Sequence, residues 1–124
     1  MEEPADFLKR YENATNTHNF ENVRPLVAPN ATYFFSDETL NRIDEIGDAF
    51  ERTWNRIQNE SYLISNVEWV SVETKSAVCT YQFNWSGLVN GVEKSGEGRG
   101  TNVLVKTDVG WQMAHEHLSV TVAS

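Results

Sequence analysis

Cysteine occurs once in the 124 residues, which excludes an intramolecular disulfide. The setting of Cys79 in the apolar run "AVCTYQF" is that of a buried, inert thiol rather than a nucleophile. A chain without a covalent staple fits a reducing compartment, and the expectation is cytoplasmic. Positive charge is scarce too: ten Lys and Arg stand against eighteen Asp and Glu, a formal net charge of -8 with no basic cluster. That balance excludes the electrostatic footprint of a nucleic-acid binder. No stretch reaches the ~18 consecutive apolar residues of a membrane span. The acidic start "MEEPADFLKR" also lacks the apolar core of a signal peptide, so neither a membrane partner nor processing is expected. Without a secretory context, the N-x-[ST] triplets at Asn13, Asn30, Asn59 and Asn84 are read as chance. Histidine occurs only three times, and just two of the three, His115 and His117, are close in sequence.

What is present is a change of period along the chain. In "PADFLKRYENATNTH" the apolar residues Phe7, Leu8, Tyr11 and Ala14 recur at helical steps. A short second helix is predicted around 20–27, kept short by Pro25. "ATYFF" reads as a brief strand. "NRIDEIGDAFERTWNRI" sets Ile43, Ile46, Phe50, Trp54 and Ile57 on one face of a helix of about four turns. Beyond Asn59 the helical period stops. "SYLISNVEWVSVE", "SAVCTYQFNWSGL", "GRGTNVLVK" and "GWQMAHEHLSVTV" read as strands, with Asn90-Gly91 as a type I′ turn and "TDVG" as a second tight turn. Helices followed by an antiparallel meander make one α+β domain over 1–124, with the N-terminal helices packed on the concave face of a curved, cone-shaped antiparallel sheet.

The strings "RYENATNTHNFENV", "APNATYFF", "DEIGDAFERTW" and "GRGTNVLVKTDVGWQMAHEHLS" resemble the nuclear transport factor 2-like superfamily, and its SnoaL-like branch in particular, over nearly the whole chain. The last string is also similar to the association domain of calcium/calmodulin-dependent kinases. More distantly the chain resembles ketosteroid isomerase. The resemblance implies a cavity between helices and sheet and a homodimer formed through the outer sheet face. It does not imply one function, since the scaffold carries isomerases, polyketide cyclases, dehydratases, hydrolases and oligomerisation modules.

Alternation in the third of the long strands named above, counting from "ATYFF", separates Ala77, Cys79, Tyr81, Phe83 and Trp85 from Val78, Thr80, Gln82, Asn84 and Ser86, and the first set must face the helices. In the final strand hydrophobicity does not choose between Trp111, Met113, His115, His117 and the set containing Glu116 and Leu118. The resemblance turns Glu116 and Leu118 inward with Phe83 and Asn102. The expected ligand pocket is therefore Tyr11, Phe35, Trp54, Phe83, Trp85, Asn102 and Glu116, with Phe34 a further aromatic candidate. The expected dimer face is Arg99, Thr101, Trp111, Met113, His115 and His117, together with Val103 and Val105. A bulge near Gly110 would reverse the assignment.

Tyr11 and Glu116 are the candidate catalytic residues. Tyr11 falls on the oxyanion-donating tyrosine of the isomerases, but Phe35 stands where their aspartate base would be, and the protonated acid falls at or next to Gly98. Steroid isomerisation is not expected from such a set, and Glu116 would have to act from the opposite wall. The paired histidines lack a third and fourth ligand. They are expected to be structural, hydrogen-bonded to Arg99 or Thr101 or across a dimer, with no metal and no cofactor. Three classes of function stay open: a homodimeric binder of a small hydrophobic or carbonyl-bearing ligand, an isomerase, cyclase or hydrolase using Tyr11 and Glu116, and an oligomerisation module.

Overall fold

A computed structural model describes residues 1–121; Val122, the end of the expected last strand, lies outside them. Helix α1 runs Pro4–Thr15, started by a proline at a position whose N–H a helix leaves unpaired, and it buries Phe7, Leu8, Tyr11, Glu12 and Thr15 along one stripe. Asn19 caps α2 (Phe20–Val23) by accepting the Glu21 N–H at 3.0 Å. Pro25 then tightens the chain into a 3-10 turn over Arg24–Leu26, so the expected second helix is split in two. Helix α3 spans Arg42–Arg56 and sinks Ile46, Ala49 and Phe50. Phe20 packs edge-on against Phe50 with ring centroids 5.4 Å apart, which ties α2 to α3.

Six strands follow the order β2-β1-β6-β5-β4-β3, with β1 Val27–Phe35, β2 Glu38–Asn41, β3 Gln58–Val72, β4 Ser76–Val89, β5 Val92–Thr107 and β6 Gly110–Val120. The expected all-antiparallel sheet is corrected in one place, since β1 runs parallel to β6 and makes the sheet mixed. The four-residue β2 had no recognisable signal in the sequence. The β4–β5 turn is Asn90-Gly91, both residues at positive φ, as a type I′ turn demands. From there β5 starts at Val92, six residues before "GRGTNVLVK".

The result is an α+β fold in which α1 and α3 pack against one side of a curved sheet. On that side β4 presents Ala77, Cys79, Tyr81 and Phe83, all buried. Burial raises the pKa of Cys79 to about 11, consistent with an inert core thiol. Among the described residues no helix is long and apolar enough to cross a membrane.

Candidate functional site

The site begins with a periodic absence of side chains. Gly96, Gly98 and Gly100 of β5 stand opposite Trp85, Phe83 and Tyr81 of β4. A Cβ at Gly98 would collide with the Phe83 ring and the Ser119 carbonyl, and one at Gly100 with the Tyr81 ring. Bare backbone therefore lets three aromatic rings lie across β5, and two of them, Phe83 and Trp85, form one wall of a cavity of about 180 Å³. Phe50, Thr53 and Trp54 of α3, Phe35 of β1 and Tyr11 and Thr15 of α1 supply other walls.

Strand β6 supplies the ionisable group. Leu104 pairs with Met113 but Val103 pairs with His115, so Ala114 is an extra residue, a bulge. Its effect is to keep Trp111 and Met113 inward on one side of the irregularity and Glu116 and Leu118 inward on the other. This corrects the expected dimer face. Trp111 and Met113 are 4% and 0% exposed and belong to the core, and the break in alternation lies at Ala114 rather than at Gly110. Phe34 is likewise corrected: it points to the outer side, between the rings of His115 and His117 at 4.9 and 5.6 Å.

Glu116 lines the cavity at 2% exposure. None of the ion pairs among the described residues includes it. Burial raises its pKa to about 7, against the opposing pull of Tyr11, the Asn102 amide and Tyr81. The Asn102 Nδ2 donates to Glu116 Oε1 at 3.4 Å, and the Tyr81 hydroxyl donates to Asn102 Oδ1 at 3.0 Å. Asn102, fully buried, thus stands behind Glu116 and does not form part of the cavity wall. The hydroxyls of Tyr11 and Tyr33 are 2.8 Å apart, and Tyr33 is the β1 neighbour of Glu116 across the parallel pair. Burial, and next the carboxylate of Glu116, hold both phenols well above the ordinary tyrosine range. They stay protonated and donate hydrogen bonds.

Tyr62 completes the polar lining. Its ring stacks on Phe83 at 5.7 Å, while its buried hydroxyl has no hydrogen-bond partner among the described residues, a deficit of about 1–3 kcal/mol if left unmade. Glu60, two residues earlier and on the same side of β3, also lines the cavity. Its pKa is raised to about 7 because burial outweighs the nearby Arg56 guanidinium. The exposed Ser36, Arg56 and Val120 mark the rim.

Of the residues singled out in the sequence, Tyr11, Phe35, Trp54, Phe83, Trp85 and Glu116 meet in this one cavity. Tyr33, Tyr62, Glu60 and Thr15 were missed. The alternation of Glu60, Tyr62 and Ile64, and that of Tyr33 and Phe35, was the signal that would have found most of them. Arg99, Thr101 and His117 line a separate hollow on the outer face with Thr80 and Gln82. His115 Nδ1 lies 2.6 Å from the Thr32 carbonyl, which can only accept, so Nδ1 carries the proton. That bond replaces the expected one to Arg99 or Thr101. Among the described residues no group of three or more His, Cys, Asp or Glu could hold a metal ion.

Solved structures share the fold at low identity. A putative calcium/calmodulin-dependent protein kinase II association domain from Xanthomonas campestris is 21% identical with a TM-score of 0.84, over 97% of this chain and 86% of that one. A nuclear transport factor 2-like superfamily protein from Salmonella enterica serovar Typhimurium is 16% identical with a TM-score of 0.86, covering 96% and 89%. A putative dehydratase of the same superfamily from Streptomyces avermitilis is 16% identical with a TM-score of 0.81, covering 94% and 93%. No curated protein matches. The SnoaL-like domain model matches residues 5–123, nearly the full length, and the chain therefore belongs to the SnoaL-like domain family.

Proposed function

We propose that the protein is a proton-transfer enzyme of the isomerase or dehydratase type, acting on a small, largely apolar ligand that carries an oxygen function. The observation that carries this reading is Glu116: a carboxyl without a cationic partner, exposed only to a cavity, with a pKa of about 7. A structural carboxylate is ordinarily paired or solvated, whereas one poised near neutrality can both take and return a proton. Tyr11, backed by Tyr33, adds a neutral donor beside it. The aromatic walls select an apolar body, and a volume of about 180 Å³ suits a ligand of about one ring. That a fold-mate from Streptomyces avermitilis is a putative dehydratase agrees with this class of chemistry.

The chemistry expected of Glu116 is a proton shift in which the carboxylate removes a proton from carbon next to a carbonyl and the carboxylic acid delivers it elsewhere on the same ligand. Electron density moves onto the oxygen between the two steps, where neutral donors stabilise it. The test is conversion of cyclohex-3-enone to its conjugated isomer, with solvent deuterium uptake followed by NMR. The expected rate rises with pH about a midpoint near 7 and falls at least about a hundredfold in Glu116→Gln. Equal rates for the parent and Glu116→Gln, or no deuterium uptake by either, would contradict the reading.

The same reading places the protein in the cytoplasm as a homodimer joined through the outer face of the sheet, where Phe34, Val103, Thr101 and His117 lie. The similarity in fold to an association domain supports self-association without fixing its geometry.

A further inference from the structure

Four tyrosines with buried hydroxyls lie around Glu116, and three of them make hydrogen bonds: Tyr11 and Tyr33 with each other, Tyr81 with Asn102. Tyr62 alone makes no hydrogen bond of good geometry among the described residues, although the Tyr81 phenol lies near enough to act on it. The omission is not slack in the structure, because Tyr62 is among the most firmly placed residues of β3. Asn16, the residue that caps the end of α1, accepts the Tyr62 N–H at 2.8 Å and donates to the Tyr62 carbonyl at 2.8 Å, as a neighbouring strand would. On one side of that clamp His18 Nε2 donates to the Glu60 carbonyl at 2.7 Å. On the other, the buried Glu12 accepts the Ile64 N–H at 2.6 Å. Three polar side chains of α1 and the turn after it thus pair the open edge of β3 at alternate residues. With the backbone fixed and the ring stacked on Phe83, the hydroxyl is held in place without a partner.

We infer that the Tyr62 hydroxyl is the donor that holds the ligand's oxygen, which makes Tyr62 a specificity-determining residue for ligands with a carbonyl or other neutral acceptor. This rests on the reading of the cavity as a ligand site. Tyr62 lines that cavity, and Glu116 is close enough to act on the phenol electrostatically. An acceptor bound by Tyr62 is thereby placed beside the group proposed to move the proton. Burial and then Glu116 hold the phenol well above its ordinary range, so it remains a donor throughout the pH range in which Glu116 titrates. Asn16 acts through Tyr62 and is a positioning residue.

The experiment uses two probes of nearly the same shape, acetophenone and α-methylstyrene, in which a methylene replaces the carbonyl oxygen. NMR titration of the parent should show tighter binding of the ketone. In Tyr62→Phe the ketone should lose about five- to tenfold in affinity, the size of one neutral hydrogen bond, while the alkene binds as before. The thermal midpoint of the ligand-free variant should be unchanged or higher, because the change deletes a buried hydroxyl that makes no hydrogen bond of good geometry. Equal losses for both probes, an unchanged ketone affinity, or a lowered midpoint would each overturn the inference while leaving the cavity a ligand site. Failure of both probes to bind the parent would overturn the reading of the cavity, and the inference with it.

Discussion

Glu116 couples the stability of the protein to pH. Its folded pKa of about 7 lies above the ordinary glutamate value of 4.5, so between those values the folded state binds more protons than the unfolded one. The stability it permits is complete below pH 4.5, declines as pH rises toward 7, and is lost above it, a change on the order of 3 kcal/mol. Glu116→Gln removes this loss. Chemical denaturation should find the variant and parent similar near pH 4, and the variant more stable at pH 8; equal stability at both pH values would mean that the carboxyl is not buried as described. Glu60 has the same sign, so the Glu116→Gln variant should still show some decline as pH rises toward 7. Tyr11 was legible because it falls on the oxyanion-donating tyrosine of the isomerases, and Glu116 only because the resemblance turns its side of the last strand inward. The raised proton affinity of Glu116 was not, since it depends on which face of β6 the carboxyl occupies and on the absence of a cation near it.

The elements explain why that face was hard to read. Strict alternation would place Trp111, Met113, His115 and His117 together, and a single extra residue, Ala114, separates the first two from the last two. Nothing in "WQMAHEHLS" announces the bulge, because both faces of the string contain apolar and polar residues. Helix α3 was legible throughout its length, since five apolar residues at steps of three and four leave no competing period. The expected strand includes Gly98 and Gly100 but not Gly96, and it starts six residues late. Their period of two is in fact a strand signature in which the missing side chains make room for rings on β4. Gly98→Ala tests that role. Added bulk against Phe83 and the Ser119 carbonyl should cost about 1–3 kcal/mol, read as a lower denaturation midpoint, and should displace the ring from the cavity wall. A variant as stable as the parent, with unchanged Phe83 ring chemical shifts, would show that the close approach is not a constraint.

At the scale of the molecule, the helices close one face of the sheet and leave the other to solvent or to a second copy. That outer face mixes Phe34, 39% exposed, with half-buried Val103, Val105 and Thr101 and with His117, a composition common at interfaces. Sedimentation equilibrium at micromolar concentration should find a dimer, and Phe34→Asp should shift it toward the monomer; a parent that sediments only as a monomer would refute the proposed assembly. The chemistry proposed for the cavity turns on where Glu116 takes up its proton. The direct measurement is a carbon-13 NMR titration of the glutamate side-chain carboxyls, with Glu116→Gln and Glu60→Gln used to assign the two resonances expected to titrate late. A midpoint near 7 for the resonance that disappears in Glu116→Gln is the predicted result, and a midpoint near 4.5 for that resonance would contradict it.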